Sequence, residues 1–155
     1  RIGSRVAEIL GKGFGMKVMY HDEHRNEIAE KHNAQYVSFD DLLESSDVVS
    51  LHVPLLATTT HLVGEKELRM MKRTAYLINT SRGAVVDEKA LAKALKENGI
   101  AGAGIDVFEH DPKIDPFLLK AQNAVLTPHI AAASHEARIA MAELAAQNII
   151  NALKA

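Results

Sequence analysis

Short apolar runs alternate with amphipathic stretches along the whole chain, and that alternation predicts a parallel sheet covered by helices. The spacing of Ile2, Val6, Ile9 and Leu10 predicts a helix over 2–10, stopped by Gly11 and Gly13. Lys17 to Tyr20 reads as a strand ending in His21-Asp22-Glu23, Glu27 to His32 as a short helix, and Ala34 to Val37 as a short strand. Ser38, with Asp41 three residues on, resembles a capping box for a helix over 39–44. Val48 to Val53 is a nearly continuous apolar strand stopped by Pro54. A helix over 65–71 and a strand over 75–78 follow. Asp87 caps a helix that runs to Glu97 and closes at Asn98-Gly99. Ile100 to Ile105 and Ala124 to Leu126 supply two more strands, and an alanine-rich helix runs from Ser134 to the end with a stripe at Ala137, Met141, Leu144 and Asn148-Ile149. The one long irregular stretch, Val107 to Asp115, is acidic, carries Pro112 and is followed by Pro116. Long loops in compact domains are often functional.

In a doubly wound α/β domain, ligands gather beyond the carboxyl ends of the strands. Three predicted strand ends carry capable side chains there. Ile78-Asn79-Thr80-Ser81-Arg82-Gly83 presents an arginine, Gly104-Ile105-Asp106-Val107-Phe108 an acid, and Thr127-Pro128-His129-Ile130 an imidazole. Arginine's planar, permanent charge suits a two-pronged grip on a carboxylate. Each residue alone is commonplace, since lone loop arginines are mostly solvated and a histidine after proline is often a satisfied loop residue. Their common position at strand ends is what changes the odds.

Arg1-Ile2-Gly3 looks like the tail of a glycine-rich turn opening a helix. The dinucleotide fingerprint G-x-G-x-x-G requires two further glycines and a strand ahead of it. Asp22 ends the next strand, roughly 20 residues on, where the fingerprint places an acid for the adenosine ribose hydroxyls. Glu23 follows it, so a 2′-phosphate would meet two negative charges, which favours NAD over NADP; Arg25 is the objection. In the strand order 3-2-1-4-5-6 the first strand is central, and its absence should split the sheet. The expectation is therefore a Rossmann-type doubly wound sheet lacking its first strand, with residues 1–155 an N-terminally truncated NAD-binding domain of a longer two-domain chain.

Composition narrows the partners. The chain is one domain long, and a net charge of −2 makes no electrostatic case for nucleic acid or an anionic membrane. The absence of cysteine excludes disulfides, thiolate metal sites and a cysteine nucleophile. The histidines show no metal-ligand spacing with carboxylates, so no metal site is expected; His21, His24, His32, His61, His110 and His135 read as surface or packing residues. No stretch approaches the roughly 18 apolar residues of a membrane span, and no signal peptide is visible, which leaves the cytoplasm as the default.

Taken together, R-I-G at 1–3, D at 22, L-H-V-P-L at 51–55, T-x-L-V at 60–63, N-T-S-R-G at 79–83, D-V-F-E at 106–109 and P-H-I at 128–130 resemble the D-2-hydroxyacid dehydrogenase family. The resemblance spans essentially the whole chain and matches that family's cofactor domain without its substrate domain. It implies His129 as the acid/base, Arg82 as the group that binds the substrate carboxylate, and Asp106 as the acceptor for the nicotinamide carboxamide. It implies His52, Val53 and Pro54 as a cofactor-lining stretch, Thr80 and Ser81 as backbone beside the nicotinamide ribose, and Arg1, Ile2 and Gly3 at the phosphates. One departure stands out: the family usually has glutamate five positions after the aspartate, paired with the catalytic histidine, and here that position is Asp111. Glu109 is the alternative partner.

The function implied is hydride transfer between NAD(H) and a small 2-keto or 2-hydroxy acid by a homodimer. The run A-G-A-G-I-D-V-F-E at 101–109 reads like the glyoxylate/hydroxypyruvate reductase and phosphoglycerate dehydrogenase branches. The alternative is an NAD-sensing, corepressor-like interaction protein on the same architecture. Without a domain to close over the substrate, the chain as supplied is expected to be inactive.

Overall fold

Residues 1–154 are described here by a computed structural model. Among the described residues six helices and six strands follow in turn, except that β6 follows β5 with no helix between: α1 (Ile2–Phe14), β1 (Met19–Tyr20), α2 (Glu27–Glu30), β2 (Gln35–Tyr36), α3 (Phe39–Ser45), β3 (Val48–Leu51), α4 (Glu65–Met70), β4 (Tyr76–Asn79), α5 (Glu88–Lys96), β5 (Gly102–Ile105), β6 (Ala124–Leu126) and α6 (His135–Lys154). A 3-10 turn at Gly83–Val85 precedes α5.

All strand pairs are parallel. They form two sheets, a two-stranded β1-β2 and a four-stranded β3-β4-β5-β6. The split expected of a doubly wound domain lacking its first strand is what is observed. In the larger sheet Leu51 lies level with Asn79, Asn79 with Ile105, and Ile105 with Leu126. These four strands therefore end together, and everything just beyond them gathers along one edge.

Alternation along β3 and β4 buries Val49, Leu51, Leu77 and Asn79 and leaves Val48 and Tyr76 exposed. The buried side chains join Leu68 of α4 and Leu91 and Leu95 of α5, with Val63, Ile100 and Leu118, in a single core. Each such side chain contributes about 1.5–3 kcal/mol by leaving water. By contrast, α1 buries only Ala7, and α6 buries none of its described residues.

Helix starts follow their sequence signals. Ser38 accepts from the Asp41 N–H at 3.1 Å, and Asp87 accepts from Lys89 and Ala90, both at 3.0 Å. Several ends differ from expectation. Helix α1 runs through Gly11 and Gly13 to Phe14, because an interior glycine costs only about 1 kcal/mol. It stops where Gly15 takes the left-handed conformation (φ 66°) that closes a helix. At the end of α5 it is Asn98, not Gly99, that turns left-handed (φ 53°). Strands β1 and β2 are only two residues long, and β3 ends at Leu51, before His52 and Val53. Strand β4 is shifted by one residue, to end on Asn79.

Candidate active site

The turn after β4 is built by one buried side chain. Asn79 is 1% exposed, so its amide must find partners inside the protein. Its Oδ1 accepts from the Ser81 N–H (3.1 Å) and hydroxyl (2.9 Å), and its Nδ2 donates to the Arg82 carbonyl (3.0 Å). Gly83 then passes tightly under the exit of β5: a Cβ there would stand 1.9 Å from the Phe108 carbonyl carbon and oxygen. Arg82 is left exposed at the rim, with Nη1 donating to the Ser81 carbonyl at 2.6 Å. Among the described residues no carboxylate forms an ion pair with it.

Asp106 follows β5 and is buried. Its Oδ1 accepts from the Thr127 hydroxyl (2.5 Å) and the Ile130 N–H (2.9 Å), and its Oδ2 from the Ala131 N–H (2.9 Å). Burial by itself pushes this carboxyl up, but the hydrogen bonds from Thr127, Ile130 and Ala131, with the nearby His129, outweigh it and hold Asp106 below the ordinary aspartate range. One carboxylate thus ties the exit of β5 to the loop that carries His129. A carboxylate offers about four lone-pair directions, so one on Oδ2 remains for a further donor.

His129 itself is half exposed, in the left-handed region at φ 54°, with Nδ1 2.7 Å from Asp111 Oδ2. A carboxylate only accepts, so Nδ1 carries the hydrogen and Nε2 is the ring nitrogen outside that pair. Glu109 lies elsewhere: its Oε1 is 2.8 Å from His61 Nε2. His61 is also left-handed, at φ 51°. Non-glycine residues in that region collect at functional sites because surrounding structure must over-determine them.

The larger sheet therefore gathers Arg82, Asp106, Asp111 and His129 at one edge. Strands β4 and β6 are separated by β5 alone, two strand spacings or about 10 Å. Thr80 is exposed and Ser81 partly buried on the same turn. At the neighbouring end of β3, His52 accepts or donates a hydrogen bond with Ser50 Oγ at 3.0 Å. Burial pushes the His52 imidazole down. Val53 is partly buried and Pro54 exposed. The start of α1 leans on this stretch, since a Cβ on Gly3 would meet the His52 side chain at 3.3 Å. Arg1 and Ile2 are exposed.

Asp22 stands apart from that edge, past the end of β1 in the smaller sheet. It is exposed, and its Oδ1 accepts from the Glu23 N–H at 2.8 Å. Arg25 is engaged by other groups: Nε donates to Glu30 at 2.9 Å and the guanidinium lies over the Tyr36 ring, 5.6 Å from its centroid. The first turn of α1 has no acidic residue and no side-chain cap, so its N–H groups are left for an anion. With the spare Asp106 lone pair and the close Gly3–His52 approach, these residues fit a dinucleotide. Among the described residues no group of three histidine or carboxylate side chains could hold a metal ion, and no helix is long and apolar enough to cross a membrane.

Sequence reasoning missed four contributors. Asn79 shapes the arginine turn, Thr127 orients Asp106, and His61 and Glu88 hold the acidic loop. A polar residue on the buried phase of a strand was the available signal for Asn79. Nothing local marked the others.

Comparison with known proteins gives a consistent result. Residues 1–131 match the family model described as "D-isomer specific 2-hydroxyacid dehydrogenase, NAD binding domain". The chain is 59% identical over 152 residues to a glyoxylate reductase of Korarchaeum cryptofilum, covering 97% of this chain and 46% of that protein. It is 57% identical over 151 residues to a glyoxylate reductase of Thermococcus litoralis, covering 97% of this chain and 45% of that one. Among solved structures, the NAD-complexed D-isomer specific 2-hydroxyacid dehydrogenase from Lactobacillus delbrueckii ssp. bulgaricus superposes with a TM-score of 0.89 at 38% identity, over 99% of this chain and 50% of that one. A glyoxylate reductase from Paecilomyes thermophila gives 0.86 at 43% identity, over 91% of this chain and 43% of that one. The chain thus spans about half the length of the relatives it matches.

Proposed function

This chain belongs to the D-isomer specific 2-hydroxyacid dehydrogenases, and from that premise we propose that it supplies the cofactor-binding and acid–base half of an NAD-dependent oxidoreductase acting on a small 2-keto or 2-hydroxy acid. The observation that carries this is the His129–Asp111 pair, 2.7 Å apart, on the same sheet edge as an arginine with no carboxylate partner among the described residues.

When bound, NAD(H) supplies or accepts the hydride. The chain's own side chains do the rest. Arg82 binds the substrate carboxylate and helps polarise the neighbouring carbonyl. The His129 imidazolium gives a proton from Nε2 to the oxygen that develops negative charge, and takes it back in the reverse direction. Asp111 stabilises that imidazolium and fixes the ring's orientation through Nδ1–H. Asp106, with its remaining lone pair, would hold the nicotinamide carboxamide, with Thr80 and Ser81 beside the ribose. His52, Val53 and Pro54 would line the cofactor, and Arg1, Ile2 and Gly3 would meet its phosphates. Asp22 and Glu23 favour NAD over NADP, and the engagement of Arg25 with Glu30 and Tyr36 supports that choice.

Glyoxylate is the first substrate to try, because the relatives at 59% and 57% identity are glyoxylate reductases. We take the working assembly to be a homodimer, as the family resemblance implies, with the cytoplasm as its default location; sedimentation of the full-length protein reads its mass. NADH oxidation by the full-length protein with glyoxylate, hydroxypyruvate and pyruvate tests the activity. Turnover with glyoxylate is expected, and inertness towards all three would overturn the proposal.

A further inference from the structure

The loop that carries Asp111 has little packing of its own. Its residues 110–113 are exposed, and it borders an open cleft of about 730 Å³ that Glu88 and Lys89 also line. Within it, the Lys113 N–H donates to the His110 carbonyl at 2.9 Å, closing a turn that puts Asp111 and Pro112 at the tip. What fixes the ends of that loop is a side chain from another element. Glu88, the first residue of α5, is 6% exposed. Its Oε1 accepts from the Glu109 N–H at 2.5 Å and its Oε2 from the Asp115 N–H at 3.2 Å.

A buried carboxylate is costly unless its oxygens are satisfied. Here the satisfaction comes from both ends of one loop, and from a helix start that favours negative charge. The groups around it are mixed in sign: Lys89, His110 and Lys113 against Glu109, Asp111 and Asp115. None of the basic groups forms an ion pair with Glu88. The carboxylate's bonds are to backbone, so what it holds is the course of the chain.

We propose that Glu88 is the positioning residue of the His129–Asp111 pair: by clamping residues 109 and 115 it sets where Asp111 stands relative to the imidazole. Glu88 touches neither substrate nor the reacting atoms, and it acts through Asp111. This rests on the acid–base role given to His129 and Asp111 above.

The test uses the full-length protein with NADH and glyoxylate across a pH series. Glu88→Gln keeps the shape, but its amide nitrogen faces an N–H and breaks one of the two bonds. Turnover is expected to fall about tenfold, with its alkaline limb moving the same way as in Asp111→Asn. In an Asp111→Asn background, Glu88→Gln should add less than a twofold loss. Glu88→Asp, shorter but still charged, gives the same comparison should the glutamine variant not accumulate. A Glu88 variant that lowers the melting temperature but leaves the pH profile in place, or whose loss multiplies with that of Asp111→Asn, would overturn the proposal. An unmoved profile in Asp111→Asn itself would instead overturn the acid–base role of the pair.

Discussion

The Thr127 hydroxyl donates to the Asp106 carboxylate at 2.5 Å, joining the exits of β5 and β6. With the Ile130 and Ala131 N–H groups on the same carboxylate, residues 127–131 are folded around a buried charge. His129 lies in the middle of that segment, and its left-handed backbone follows from being held on both sides.

Asp106 should therefore stabilise the protein in a pH-dependent way. Its carboxyl is held below the ordinary aspartate range, so the stabilisation is present above the unfolded-state value, about 3.9, and is lost as pH falls through the lower folded-state value. Asp106→Asn should cost about 2 kcal/mol at neutral pH. Urea titrations in parallel should show the gap from the native sequence closing as the medium is acidified. A gap that stays constant down to strongly acid pH would contradict this account.

Gly83 gives a steric prediction with its own control. A methyl at position 83 would collide with the Phe108 backbone, which has no flexible end to move aside. Gly83→Ala should cost about 3 kcal/mol, and by displacing the neighbouring Arg82 it should raise KM for the keto acid more than it lowers kcat. Gly13 lies in the last turn of α1, with nothing within 4 Å of where its Cβ would be. Gly13→Ala should instead stabilise by about 0.5–1 kcal/mol. Equal thermal shifts in the two variants would show that the close approach at Gly83 does not matter.

Much of this arrangement was legible in the chain because the period-two and helical patterns are local. Strand ends at Tyr20, Asn79, Ile105 and Leu126 could be read to within a residue, and parallel topology then brings Arg82, Asp106 and His129 to one edge. The errors have physical causes. A glycine signals that left-handed backbone is permitted, not that it is used, and so α1 was ended early at Gly11 instead of at Gly15. Contacts between distant segments leave no local trace. His61 and Glu109 are 48 residues apart, and Glu88 is 21 from Glu109 and 27 from Asp115. Nothing in composition or spacing marks these as partners, because a surface histidine and a first-turn glutamate are both ordinary.

Cofactor choice should respond to Asp22. Its carboxylate is exposed at the end of β1 with only the Glu23 N–H upon it, while Arg25 is occupied by Glu30. On the proposed reading, Asp22→Ala removes the charge that would repel a 2′-phosphate and the acceptors that would take the ribose hydroxyls. The ratio of kcat/KM for NADH over NADPH in the full-length enzyme should fall about tenfold or more, the effect of losing one charged hydrogen bond of 1.5–3 kcal/mol. An unchanged ratio would place the adenosine ribose away from β1.

The two acids of the loop that face histidines should separate cleanly. Asp111 Oδ2 lies 2.7 Å from His129 Nδ1, whereas Glu109 Oε1 lies 2.8 Å from His61 Nε2. Reduction of a keto acid needs the imidazolium, which a neighbouring carboxylate stabilises. Removing that charge in Asp111→Asn should let activity fail at a lower pH than in the parent enzyme, and should cut turnover about ten- to a hundredfold. Glu109→Gln removes the carboxylate beside His61 but leaves the His129 pair intact, so its pH profile should follow the parent's with turnover within about fivefold, the effect of about 1 kcal/mol at the upper end for a surface ion pair. Rate–pH profiles of the two variants with glyoxylate decide the matter. If Glu109→Gln moves the alkaline limb and Asp111→Asn does not, the aspartate is not the partner that matters for proton transfer.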